Sequence, residues 1–310
     1  MLKQLKSFCK TLTLSQVDLE DYCRAKRYER YDENGAYVSL LGFHNKIHSI
    51  LVFVLKIQRW LKKQKVVILK DKHILGKRPI IYAGTHIGGD DIETAFETIK
   101  TPCWLLLGDP KEIYRNAAGL MLDLNGVICF DTAHKKDRQI AKERCMALLN
   151  SGGNLLMFPE GAWNISQNQL VMHLFPGAVE MAISCNADIV PIAIARKDKK
   201  YYVNIGSNIS YAGNECTDKY QLTYDLRDVL ATLKWEIISQ IEPLKRSEID
   251  VNYEKDFLHE IMGTQVATYT VQDVFDTRYT PKGQTDYDEV FEHLKHIRLK
   301  KENAFLFRKK

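Results

Sequence analysis

The sequence predicts an α/β fold, layered around a largely parallel sheet, with a helical segment before it and a mainly helical extension after it. Three observations lead there. From Val66 to about residue 206, short apolar runs alternate with amphipathic helical patterns, the rhythm of strands joined by crossover helices. Several of the runs, such as Pro79-Ile80-Ile81-Tyr82-Ala83 and Leu155-Leu156-Met157-Phe158, are continuously apolar, as expected of strands covered on both faces. Glycine and proline punctuate them: Gly152-Gly153 stops one helix and Pro176 opens the next.

Residues 1–35 are expected to form polar helix and connector, ending in a turn at Asp32-Glu33-Asn34-Gly35. Residues 36–63 read as one helical segment, because Leu40, Leu41, Phe43, Ile47, Ile50, Leu51, Val54, Leu55, Ile57 and Trp60 include many three- and four-residue steps. Its end is basic, with Lys56, Arg59, Lys62, Lys63 and Lys65. Such a face suits either the surface of an anionic bilayer or packing against a core with a solvated basic end. His44 and His48 are four apart, but no carboxylate-rich motif accompanies them, and no metal site is assigned.

Strands are expected near 66–69, 79–84, 103–107, 126–130, 154–158, 189–195 and 201–206, and helices near 91–99, 111–122, 136–150 and 176–186. Lys197-Asp198-Lys199-Lys200 is read as the exposed turn between the last two strands. Past residue 210 the pattern turns helical, with apolar stripes at Leu222, Leu226, Val229, Leu230, Leu233 and Ile237, and at Val290, Phe291, Leu294 and Ile297. The segment 263–283, rich in Thr and Tyr, has no clear pattern. Three parts are expected: 1–64, helical and able to lie on a membrane surface; 65–210, the α/β domain; and 211–310, a helical extension of unassigned role.

Composition narrows the class. The chain has 310 residues, 45% apolar and 27% charged, enough for a substantial core and unlike a disordered chain. The formal charge is +5, with lysine and arginine crowded between Lys56 and Arg78 and after Lys295. That basic stretch has too few interleaved aromatics for a nucleic-acid platform. Seven cysteines without C-x-x-C pairs suggest a reducing interior. The N-terminus lacks the apolar run of a signal peptide, and no stretch approaches the roughly 20 apolar residues of a membrane span. The expectation is a cytoplasmic chain, peripheral to a membrane.

The stretch with chemistry in it is His86-Ile87-Gly88-Gly89-Asp90-Asp91, between an apolar run and a helical pattern. Asp90 with Glu93 reads as a capping box, placing the helix start at Asp90 or Asp91. A glycine pair lets the loop fold back, so that Asp91 can reach one imidazole nitrogen of His86 and leave the other facing a cleft. That is a general-base dyad: the carboxylate fixes the tautomer and stabilises the imidazolium. There is no G-x-S-x-G and no G-x-x-x-x-G-K-[ST], which argues against hydrolase and kinase chemistry.

Four blocks follow in order: Thr85-His86 to Asp91; Gly126-Val127-Ile128-Cys129-Phe130-Asp131; Phe158-Pro159-Glu160-Gly161; and Ile189-Val190-Pro191-Ile192-Ala193-Ile194. Leu174-Phe175-Pro176-Gly177-Ala178 lies between the last two. In these blocks the sequence resembles the glycerolipid acyltransferase superfamily, typified by 1-acyl-glycerol-3-phosphate acyltransferase, over roughly residues 65 to 205.

The resemblance implies transfer of a fatty acyl group from acyl carrier protein or coenzyme A to the hydroxyl of a lysophospholipid. No cofactor is expected beyond that thioester co-substrate. His86 would take the hydroxyl proton, Asp91 would orient it, and the N–H groups of Gly88 and Gly89 could steady the oxyanion. The F-P-E-G block shapes the acceptor pocket in the family, which points to Phe158, Glu160 and Gly161; Glu160 would bind the acceptor or form a structural ion pair that holds its loop. Two departures stand out. The family's phosphate-gripping arginine after the second block is Thr132 here, and the arginine after F-P-E-G-T is Trp163, preceded by Ala162. Threonine cannot replace a guanidinium fork. Lys135, Lys136 and Arg138 either supply that charge or line a solvated helix start. The acceptor is accordingly a lysophospholipid or, in the alternative, an amine, sugar or neutral lipid alcohol. A module that binds lipid without turnover is the non-enzymatic alternative.

Overall fold

The computed structural model describes residues 9–38, 41–108, 117–166, 169–212, 218–241, 248–263, 270–281 and 300–301. Helix α1 (Gln16–Asn34) starts at Ser15, whose hydroxyl accepts the Asp18 N–H at 3.2 Å, and ends at Gly35, where φ is 61°. Helix α2 (Leu41–Leu61) follows. The α/β part then runs β1 (Lys65–Asp71), β2 (Ile80–Gly84), α3 (Asp91–Thr98), β3 (Trp104–Gly108), α4 (Ala117–Asn125), β4 (Val127–Phe130), α5 (Lys135–Asn150), β5 (Leu155–Met157), α6 (Gly177–Cys185), β6 (Asp188–Lys197), β7 (Lys200–Ile205) and α7 (Lys219–Gln240). Two further helices are α8 (Tyr253–Gly263) and α9 (Val271–Thr277).

The seven strands form one sheet in the order β1-β7-β6-β2-β5-β3-β4. Strands β6, β2, β5, β3 and β4 are parallel neighbours, while β7 runs antiparallel to β6 and β1 runs parallel to β7. All seven expected strands are present. The hairpin between β6 and β7 turns at Asp198, with φ 55°, inside the expected turn.

Strand alternation sorts the core into two layers. Ile81, Ala83, Leu155 and Ile189 face α5, α6 and α7, through Cys145, Leu148, Val179, Leu222, Leu226 and Leu230. Ile80, Tyr82, Leu156 and Val190 face α2 and α3, through Leu51, Leu55, Ala95 and Phe96. The boundary expected at residue 210 therefore cuts through one core. Helix α7 is one of the layers of the α/β domain, since each leucine of its four-residue stripe gains about 1.5–3 kcal/mol by leaving water. Farther along, Leu233 and Ile237 pack on Ala193 and Ala195 of β6.

The segment before the sheet is also fastened to it. Arg27 makes a bidentate ion pair with the buried Asp137 of α5, and Tyr31 bonds Glu143. In α2, His44 Nδ1 meets the Leu124 carbonyl at 2.6 Å and His48 Nδ1 meets Asn125 Oδ1 at 2.9 Å, so both imidazoles hold α2 on the end of α4. The stripe at 290–297 lies outside the described residues. So does 264–269, part of the unpatterned segment that also yields α9, which is opened by a capping box of Thr270 and Asp273.

Candidate active site

Strands β2 and β5 are parallel neighbours, so the loops at their carboxyl ends, residues 85–90 and 158–164, meet at one edge of the sheet. Thr85 is fully buried there, and its hydroxyl accepts the Ile194 N–H of β6 at 2.9 Å. Gly88 and Gly89 both take left-handed backbone, with φ 77° and 64°, and the chain doubles back.

The turn brings Asp91 Oδ2 to 2.8 Å from His86 Nδ1. The same oxygen accepts the N–H groups of Ile87 and Gly88, each at 2.9 Å. An oxygen that already accepts two N–H groups takes the Nδ1 hydrogen as well, which leaves the His86 Nε2 lone pair free. Nε2 has no hydrogen-bond partner among the described residues. The carboxylate side chain is 2% exposed and the imidazole 15%. Phe158 stacks on the imidazole at 4.6 Å and 25°, and Trp163 stands edge-on at 6.3 Å.

Glu160 lies beneath the pair with no exposed surface. Its Oε1 accepts the His86 N–H and its Oε2 the Met172 N–H, both at 2.8 Å. Both oxygens are spent on the protein's own backbone, so the expected contact with an acceptor gives way to bracing of the loop. Burial pushes this carboxyl up, against the pull of Lys234 and the two N–H donors. Lys234 of α7 is itself buried, its ammonium pushed down by burial and drawn the other way by Glu160 and Asp91. The Asn164 N–H closes the frame by donating to the His86 carbonyl at 2.7 Å. Gly161, φ 73°, makes the turn between Phe158 and this strap, its N–H donating to the Phe158 carbonyl at 3.0 Å.

Other expectations change in detail. The capping box of Asp90 and Glu93 does not form: Asp90 precedes α3 but its side chain caps nothing, being drawn instead to Lys62 at 3.3 Å and the Tyr201 hydroxyl at 3.2 Å. Of the two backbone donors expected to face an oxyanion, the Gly88 N–H is consumed by Asp91. Lys135, Lys136 and Arg138 open α5, after β4, which is three strands from β2 in the sheet. There Lys136 lies over the Tyr28 ring at 4.5 Å and Arg138 bonds the Thr132 carbonyl. The structure does not bring them to His86. Sequence reasoning missed Arg59, Asn164 and the hydroxyl of Thr85, for which no local signal exists. Lys234 did leave one: it interrupts the buried stripe of Leu230, Leu233 and Ile237.

A parallel α/β sheet carrying an imidazole–carboxylate pair at its strand ends is the frame expected of the glycerolipid acyltransferase superfamily. Residues 63–195 match the family model for Acyltransferase, and this segment of the chain belongs to that superfamily. The fold is similar to the crystal structure of the 1-acyl-sn-glycerophosphate (LPA) acyltransferase PlsC from Thermotoga maritima, with a TM-score of 0.51 at 14% identity over 79% of this chain and 98% of that one. No curated protein matches the sequence. The segment that matches the Acyltransferase model runs from β1 into β6 and holds both His86 and Asp91.

Proposed function

We propose that the protein moves a fatty acyl group from an acyl-carrier-protein or coenzyme A thioester to the hydroxyl of a lysophospholipid such as 1-acyl-glycerol-3-phosphate. The observation that carries this reading is the 2.8 Å contact of His86 Nδ1 with Asp91 Oδ2, which leaves Nε2 free in a partly open position. The acceptor hydroxyl attacks the thioester carbonyl carbon as Nε2 takes its proton. The tetrahedral intermediate collapses, the carbon–sulfur bond breaks, and the imidazolium returns the proton to the departing sulfur. Asp91 keeps the ring in the reactive tautomer and stabilises it while charged. Positioned proton transfer supplies about 10²–10⁴ in rate, so orientation of both substrates contributes the remainder.

A membrane surface is the expected source of the acceptor. Ile50, Phe53, Val54, Ile57, Trp60 and Leu61 form an exposed apolar stripe on α2, with Lys56, Lys62 and Lys63 beside it. No described helix is long and apolar enough to cross a membrane.

One observation favours a second acceptor class. Trp163, where the family has arginine, packs with Leu258, Ile261 and Val271 around Ala162, Ile165 and Met172, giving the site an apolar wall. A neutral lipid alcohol suits that wall better than a phosphate does. Incubation with labelled acyl thioester and a panel of acceptors, followed by mass analysis, separates the two. Acylated lysophosphatidate is the expected product. Acylation of neutral acceptors alone favours the second class, and no acylated product at all removes both.

A further inference from the structure

Among the side chains that hold the loop of the His86–Asp91 pair from outside the sequence motifs, Arg59 makes the most contacts with the start of α3. Arg59 lies near the end of α2 and is 5% exposed. Its Nη2 donates to the Asp90 carbonyl at 3.2 Å and to the Thr94 hydroxyl oxygen at 2.6 Å. Its Nε pairs with Glu97, and its Nη1 reaches Gln64 Oε1 at 3.4 Å. The guanidinium plane stands 4.6 Å from the Tyr201 ring, whose hydroxyl in turn donates to Asp90 Oδ2. Asp90 is thus gripped at its carbonyl by Arg59 and at its carboxylate by Lys62 and Tyr201, one residue before Asp91. Burial raises the Asp90 carboxyl, but Gln64, Lys62 and Arg59 outweigh it and hold it below the usual range.

We infer that Arg59 is a positioning residue for the reaction: it fixes the start of α3, and so the place of the Asp91 carboxylate against His86, from a helix that none of the motifs includes. The inference rests on the reading of His86 and Asp91 as the reacting pair. Three properties suit an arginine to this task. The fork donates in several directions in one plane, stacks on an aromatic ring, and stays charged when buried. The Asp90 carbonyl, which also accepts the Thr94 N–H at 2.9 Å and the Thr94 hydroxyl at 2.6 Å, and the side chains of Thr94 and Glu97, one and two turns into the helix, are the three acceptors that Arg59 takes. Lysine has the charge but not the fork. Because reacting groups misplaced by about 1 Å can cost about 10²-fold, loosening this grip should be felt at the chemical step.

The test compares Arg59→Lys with wild type in three readouts: thermal unfolding, kcat and KM for acyl transfer, and the proton signal of the His86 Nδ1–H bonded to Asp91. The expected result is a folded variant whose kcat falls by about 10²-fold with KM little changed, and whose Nδ1–H signal moves or broadens. A folded Arg59→Lys protein with unaltered kcat and an unaltered signal overturns the inference. Should that variant not fold, Thr94→Ala removes one acceptor of the same fork and is expected to shift the signal and lower kcat in the same direction, by a smaller factor. No change in either readout for Thr94→Ala again overturns it. The spectroscopic readout needs no turnover, so it distinguishes the two ideas: activity retained in His86→Ala defeats the acyl-transfer assignment of the pair, whereas an unmoved signal in the Arg59 and Thr94 variants defeats only the role of Arg59.

Discussion

Glu160 Oε1 accepts the main-chain N–H of His86 at 2.8 Å, which ties the loop after β5 to the loop after β2. The other oxygen of Glu160 accepts the Met172 N–H, so one buried side chain organises three segments. Glu160→Ala leaves both donors buried without acceptors. It should destabilise the fold by roughly 2–6 kcal/mol, since each of the two orphaned groups costs about 1–3. Urea unfolding measures this; a loss below 1 kcal/mol would mean the loops are held by other contacts.

His86→Ala should abolish transfer while leaving thermal stability close to wild type, because the imidazole is partly exposed and its backbone bonds remain. Asp91→Asn should lower kcat by several orders of magnitude, as an amide cannot serve as a pure acceptor for Nδ1–H and two backbone N–H groups at once. Single-turnover assays on purified folded variants give both numbers. Full activity in either variant would leave the pair without a catalytic role.

The stripe on α2 predicts a separation of binding from folding. Phe53 is 64% exposed and Trp60 77%, so the double variant Phe53→Ser, Trp60→Ser should unfold at nearly the wild-type temperature. Its flotation with anionic vesicles should weaken by at least about tenfold, given the apolar area it withdraws from the lipid boundary. Equal flotation would place the membrane contact elsewhere.

Stability should carry a pH signature from Glu93. Burial, reinforced by the neighbouring Asp90 and Asp91 carboxylates, pushes its carboxyl up from 4.5 to about 7. A folded-state value above the unfolded one means the folded protein holds the proton more tightly. The resulting stabilisation is fully present below about pH 4.5 and lost as pH rises through about 7. Glu93→Gln should therefore gain on wild type steadily between those values, by thermal or denaturant unfolding at matched pH. A difference that stays constant across that range would show that Glu93 ionises normally.

Much of this protein was written locally. The apolar runs at 79–84 and 154–158 could only be buried strands, and the two glycines after His86 could only be a tight return, because each signal depends on neighbours a few residues away. The pair of His86 and Asp91 was legible for the same reason, the turn between them being short. Signals that compete over distance were not legible. Asp90 carries the residue type and spacing of a helix cap, yet Lys62 and Tyr201, remote in sequence, offer its carboxylate better partners. Glu160 likewise looks like a substrate ligand until the strand order sets it beneath His86.

What the sequence alone determined was the alternation of strand and helix, the acyltransferase blocks, and the imidazole with its carboxylate. The tertiary structure decided which groups are spent on holding the site together: Glu160 on two backbone N–H groups, Gly88 on Asp91, Arg59 on the start of α3, and α7 on the core. The reason is physical. A polar group loses water on burial and must take whatever partner the folded chain brings within about 3 Å, and only the packing of distant segments fixes which partner that is.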